Sequence, residues 1–121
     1  MDGTTVATNE TVNLIACDKV VGTSVYNRRG ESLGSVYGLM LDKVSGQVAY
    51  AIMSFGGFLG IGEEYHPLPW HALTYDTQLG GYVIDADRSR LEEAPRYRSA
   101  TDNQWLQERD RIDAYYAVPP V

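Results

Sequence analysis

Between Gly22 and Trp70 the apolar and polar positions fall into short β-type runs separated by glycine-bearing turns. Residues 24–27 lead into a turn at 28–31, residues 33–42 into a turn at 43–46, and residues 47–55 into the pair Gly56-Gly57. Apolar runs bounded in this way by Gly, Asn, Asp and Ser predict antiparallel strands joined by tight turns. The run 33–42 does not alternate cleanly. Val36 and Leu39 are three apart, and a two-residue period cannot put both on one face. Gly38 lies between them, so a bulge near Tyr37 and Gly38 is expected, re-phasing the strand so that Val36, Leu39 and Leu41 all point inward.

The run 47–55 is the most apolar. Val48, Tyr50 and Ile52 form one face, and Ala49, Ala51, Met53 and Phe55 the other. A small closed barrel buries only its inner face, so the second face needs cover from the chain's own C-terminal segment or from a second chain. Trp70 and Leu73 are expected in the core, and residues 73–76 and 82–85 read as a last hairpin. Residues 87–94 predict a short helix stopped by Pro95, and 95–100 a basic, polar linker. Thr101 and Gln104 have capping-box spacing and open a helix to Tyr116. On it Trp105, Ile112, Tyr115 and Tyr116 fall at helical spacing, and Pro119-Pro120 ends it. Upstream, residues 14–21 suggest a helical turn, and the polar, threonine-rich residues 1–13 a loosely held leader.

Composition narrows the function classes. A chain of 121 residues supports one domain, and 44% apolar with 21% charged residues is ordinary for a soluble globular protein. The formal net charge of −6 argues against nucleic acid as a partner. Arg88, Arg90, Arg96 and Arg98 are interleaved with Asp85, Asp87, Glu92 and Glu93, which reads as a solvated, self-paired face. Cys17 is the sole cysteine, so no internal disulfide forms, and it is expected as a small buried hydrophobe. The N-terminus lacks the features of a signal peptide, and no apolar run approaches the ~18 residues of a membrane span. A cytoplasmic location is expected.

Candidate chemistry is sparse. Gly57 and Gly62 have P-loop spacing, but Glu63 and Glu64 stand where Lys and Ser or Thr are required, and two carboxylates repel phosphate. In the loop 56–62, Phe58, Leu59 and Ile61 either fold back over the barrel end or form an exposed contact patch. His66 and His71 are five apart with Pro67 and Pro69 between them, which in extended backbone turns them opposite ways. They are expected to hydrogen-bond backbone at the barrel rim rather than hold a metal. No catalytic triad or activated thiol is discernible, so the expectation is a non-enzyme without a cofactor.

Gly22-x-x-Val25-x-Asn27-x-x-Gly30-Glu31-x-Leu33-Gly34-x-Val36, then Leu41-Asp42-x-x-x-Gly46-x-Val48-x-Tyr50, the glycines of 56–62 and Pro69-Trp70 together resemble the PRC-barrel family. Gly38 stands where that family usually carries an acidic residue. The family includes the cytoplasmic domain of the photosynthetic reaction-centre H subunit and the C-terminal domain of a ribosome maturation factor. The resemblance, over about 14–91, implies a mainly β fold: a small antiparallel barrel of five or six strands, here with a C-terminal α-helix. The expected layout is a leader at 1–13, the barrel domain at 14–94, and a linker and helix at 95–121. The resemblance also implies a non-catalytic module that acts through protein contacts with an unknown partner. Phe58, Leu59, Ile61, Trp105, Ile112, Tyr115 and Tyr116 are its candidate contact residues, and a homodimer is the expected assembly. The alternative it implies is an H-subunit-like part in photosynthetic electron or proton transfer. A ribosome-maturation role would need the further N-terminal domain of that factor.

Overall fold

A computed structural model of the chain describes residues 14–55, 64–98 and 104–116. After a one-turn helix α1 (Cys17–Val20) come strands β1 (Ser24–Tyr26), β2 (Ser32–Leu41), β3 (Val48–Phe55) and β4 (Glu64–Pro69). A single 3-10 turn, Trp70–Ala72, leads to β5 (Leu73–Asp76) and β6 (Gly81–Ile84), and helices α2 (Arg88–Glu92), α3 (Gln104–Gln107) and α4 (Arg109–Tyr115) follow. The six strands form one mainly antiparallel sheet in the order β4-β3-β2-β1-β6-β5, curled like a half-barrel around an inner core. The mainly β architecture and six strands agree with the sequence pattern. One pair departs from it: β1 and β6 run parallel, with Val25 opposite Tyr82 and Tyr26 opposite Val83.

Local chemistry explains the turns. Asn27 Oδ1 accepts the backbone N–H of Arg29 and of Glu31, both at 2.9 Å. Asp42 Oδ1 does the same for Val44 and Ser45, and Asp76 Oδ1 for Gln78 and Leu79. Each of these three turns therefore closes on a side-chain oxygen that mimics a backbone turn. The N–H groups of Ser45 and Val44 hold the Asp42 carboxyl below the usual carboxylate range. Two glycines set the spacing between strands. A Cβ on Gly34 would lie 2.2 Å from the Ser54 carbonyl oxygen, and one on Gly81 would lie 2.4 Å from that of Ser24. The second contact is at the parallel junction, where only a bare backbone fits.

The bulge falls where the glycine implied. Val36 pairs with Met53 and Gly38 with Ile52, leaving Tyr37 as the extra residue. Val36 is buried and Leu39 packs on the inner core, but Leu41 is exposed, contrary to the inward direction expected of it. A second register shift between Met40 and Leu41 re-phases the strand before it ends. The inner face of the sheet carries Val25, Leu33, Val36, Ala51, Met53, Leu68 and Ile84, and Leu91 of α2 seals it. Trp70 and Leu73 pack against this core while only partly buried.

Cys17 is exposed, not buried as its residue type suggested. It sits on a helix of a single turn whose only buried side chain is Val20. α2 matches its expected place, with Asp87 capping it by accepting from Arg90 N at 3.0 Å. The helix expected over 101–116 is two shorter ones. Glu108 interrupts it with φ −110° and ψ 21°, and its N–H bonds to Trp105 O, a tighter three-residue step. Residues 1–13, the loop 56–62 and the capping threonine, Thr101, lie outside the described residues.

Candidate interaction face

The outer face of β3 gives a second core. Tyr50 and Ile52 meet Tyr97, Trp105 and Ile112, and all five are buried. Met40, Ala49, Tyr65 and Tyr116 pack around them. The Trp105 ring stands edge-on to Tyr50 with centroids 5.3 Å apart, the arrangement that opposes ring edge to ring face. The cover that β3 demands is thus supplied by the chain's own α3 and α4. Of the stripe expected to make contacts, Trp105 and Ile112 are spent on this packing, at 2% and 0% exposure. Tyr116 lies at its margin and also touches the inner core, and Tyr115 stands edge-on to Tyr116 at 5.3 Å. Phe58, Leu59 and Ile61 are outside the described residues.

Polar groups fasten the cover at three points. Tyr50 Oη donates to Asp113 Oδ1 at 2.8 Å, and Tyr97 Oη donates to Glu108 Oε1 at 2.5 Å. At the third point α2 and α4 are tied reciprocally. Arg90 Nη2 donates to the Tyr115 carbonyl, Tyr115 Oη donates to the Arg90 carbonyl, and the Arg90 guanidinium lies 4.5 Å from the Tyr115 ring centroid. Burial and the neighbouring Asp113 carboxylate raise the Tyr50 phenol well above its usual range, so it stays a donor. Tyr116 is pushed up as well, chiefly by burial, and its hydroxyl has no hydrogen-bond partner.

Tyr97 was hidden from sequence reasoning inside a stretch read as polar linker. Its backbone exchanges hydrogen bonds with Tyr65 in both directions, at 2.8 and 2.9 Å, so the chain touches the edge of β4 before reaching α3. An aromatic residue two positions after Pro95, in backbone that proline keeps extended, was the available signal. Three of the four arginines nearby reach backbone carbonyls, where pairing with the interleaved carboxylates was expected. Arg88 reaches the Ser32 carbonyl, Arg90 that of Tyr115 and Arg96 that of Glu92, and Arg96 also pairs with Glu64 at 3.0 Å. Arg88 and Arg96 tie α2 and the linker to β2 and β4, and Arg90 ties α2 to α4.

The histidines part company. His71 is exposed, whereas His66 is wholly buried opposite Met53, with Phe55 edge-on at 5.2 Å. Neither ring nitrogen of His66 has a hydrogen-bond partner, so the expected bond to rim backbone is not made. The register of β4 turns the ring inward, away from the peptide groups at the rim. Burial lowers its pKa to about 4, which keeps the imidazole neutral. Among the described residues no three His, Cys, Asp or Glu side chains converge on a metal position. A shallow groove between the Asn27–Arg28 turn and the β5–β6 hairpin is lined by Arg28, Thr74, Asp76 and Asp85, with Arg28 paired to Asp85 at 3.5 Å.

The family model of the PRC-barrel domain matches residues 13–91, well over half of the chain. The chain belongs to the PRC-barrel family. No curated protein matches it significantly. The match ends at Leu91 of α2, so the PRC-barrel unit holds all six strands while α3, α4 and Tyr97 lie beyond it. No helix among the described residues is long and apolar enough to cross a membrane.

Proposed function

We propose that this PRC-barrel chain is a non-catalytic protein-binding or assembly module that forms a homodimer. One observation carries the reading. The outer face of the barrel seats a helical segment lying wholly outside the family-matched residues, through an aromatic and aliphatic cluster of interior quality. A sheet with apolar side chains on both faces is built to hold something on its second face. Exposed apolar side chains adjoin it in sequence: Tyr37 and Leu41 on β2 at 52% each, and Val44 in the following turn at 97%. Tyr37 packs on Tyr65 at 4.9 Å and so stays fixed while exposed. No observation among the described residues favours the photosynthetic alternative.

The test is affinity capture with the tagged full chain, comparing wild type with Tyr37→Glu and with Leu41→Glu. A specific partner retained by wild type and lost from both variants supports the reading. Identical capture by all three, or turnover of a substrate by the purified chain, would reject it.

A further inference from the structure

The two ends of the sheet are finished differently. At β4, Pro67 and Pro69 have no N–H to offer, and Tyr97 pairs with Tyr65 along the edge. At β5 the run Leu73-Thr74-Tyr75-Asp76 has no proline, no lysine and no bulge, and it pairs with β6 in even register. Among the described residues its other side meets no strand. The remaining backbone bonds there stay local, from Leu73 N–H to Trp70 O and from Gly80 N–H to Asp76 O. We propose that this edge of β5 docks an extended, basic peptide segment of a partner protein, which adds to the sheet as a further strand. This deepens the protein-binding reading, on which it rests, by giving it a place and a chemistry.

Strand addition needs a row of backbone groups for hydrogen bonding and side chains beside it for selectivity. β5 has both. Leu73 packs toward the inner core, so Thr74 and Asp76 lie on the outer face of the sheet, and Val83 is the cross-strand partner of Thr74. With Arg28 and Asp85 these residues line the shallow groove beside the strand. On the opposite face Tyr75 is held edge-on to Tyr82 at 5.1 Å while remaining 37% exposed. The edge is thus ordered before a partner arrives, which lowers the cost of binding.

Charge selects the occupant. Among the groove residues two carboxylates, Asp76 and Asp85, outnumber Arg28, which pairs with Asp85 at 3.5 Å, and the whole chain carries −6. In an incoming strand every second side chain falls on the groove side, where lysine or arginine meets these carboxylates. A second copy would bring the same carboxylates and the same net charge, so repulsion opposes β5 pairing with itself.

The test is an NMR titration of the isotope-labelled full chain with a short synthetic peptide of alternating lysine and valine. Amide shifts at Leu73–Asp76, Arg28 and Val83 are expected, saturating with a Kd below roughly 1 mM. Thr74→Lys places a cation at an exposed edge position and should weaken binding at least about tenfold. The same peptide N-methylated throughout keeps its lysines but loses its backbone donors, and should also bind at least about tenfold more weakly. Equal binding of the methylated peptide would reduce the effect to plain charge attraction and overturn the proposal. Shifts at Tyr37 and Leu41 instead, or none at about 1 mM peptide, overturn it too. So do β5 shifts that appear on concentrating the chain alone, which would make a second copy the occupant. If Thr74→Lys fails to fold, the methylated peptide still decides. Absence of peptide shifts with lysate capture intact rejects the β5 site alone, whereas substrate turnover by the purified chain rejects the binding reading.

Discussion

Tyr50 and Asp113, 63 positions apart, meet through a 2.8 Å hydrogen bond from phenol to carboxylate. The bond joins the middle of β3 to the last helix, across the second core. Removing the donor in Tyr50→Phe leaves a half-buried carboxylate without that bond, at an expected cost of about 1–3 kcal/mol. Asp113→Asn keeps an acceptor and should cost less. Because the phenol is raised above its usual pKa, this stabilisation is complete below about pH 10 and declines above it. Urea denaturation of the three proteins at neutral and alkaline pH checks both statements.

Ile112 is fully buried between the helices and the sheet. Ile112→Ala removes three carbons from a packed site and should cost about 2–5 kcal/mol. Leu106→Ala, six residues earlier on α3 and partly exposed at 38%, should change stability by less than about 1 kcal/mol. Thermal unfolding followed by tryptophan fluorescence reads the difference, since Trp105 reports the cover itself.

His66 makes stability depend on mild acid. Its folded pKa of about 4 is below the ordinary value near 6.5, so the unfolded chain takes up the proton more readily. The stabilisation is therefore whole above about pH 6.5 and is lost as pH falls toward 4, by an amount on the order of 3 kcal/mol. His66→Leu should flatten the urea midpoint between pH 6.5 and 4.5. An unchanged slope in that variant would show that the acid sensitivity comes from other groups.

Two glycines in one strand should respond oppositely. Gly34→Ala drives a methyl into the Ser54 carbonyl, backbone against backbone, and should cost several kcal/mol or prevent folding. Gly38→Ala meets nothing within 4 Å and should be tolerated within about 1 kcal/mol. Soluble yield and chemical denaturation separate them.

The strands were legible because their turns carry Asn27, Asp42 and Asp76, residues whose side chains fold the backbone locally. The Tyr37 bulge was legible because Gly38 broke the alternation. Long-range relations were not. Nothing local distinguishes a parallel β1–β6 pair from an antiparallel one, since both bury Val25 and Tyr82. The need to cover the outer face of β3 was visible in Tyr50 and Ile52, but the supplier was not. Tyr97 and Arg90, which fix the helices in place, sit in stretches whose composition is that of surface. His66 was misjudged for a related reason: a polar side chain in extended backbone gives no sign of which face the register will bury.

The parallel pairing of β1 with β6 also orders events in time. β2, β3 and β4 pair with their immediate neighbours in sequence, so a ribosome can deliver that meander one strand at a time. The remaining edge of β1 stays vacant until Ile84 has been synthesised, because only β6 can fill it. Closing that gap means bringing together residues nearly sixty positions apart, the slow, entropically costly step of the topology. Until it is taken, β1 is an open strand edge in a nascent chain, and that interval is when the protein is most exposed to mispairing with its neighbours.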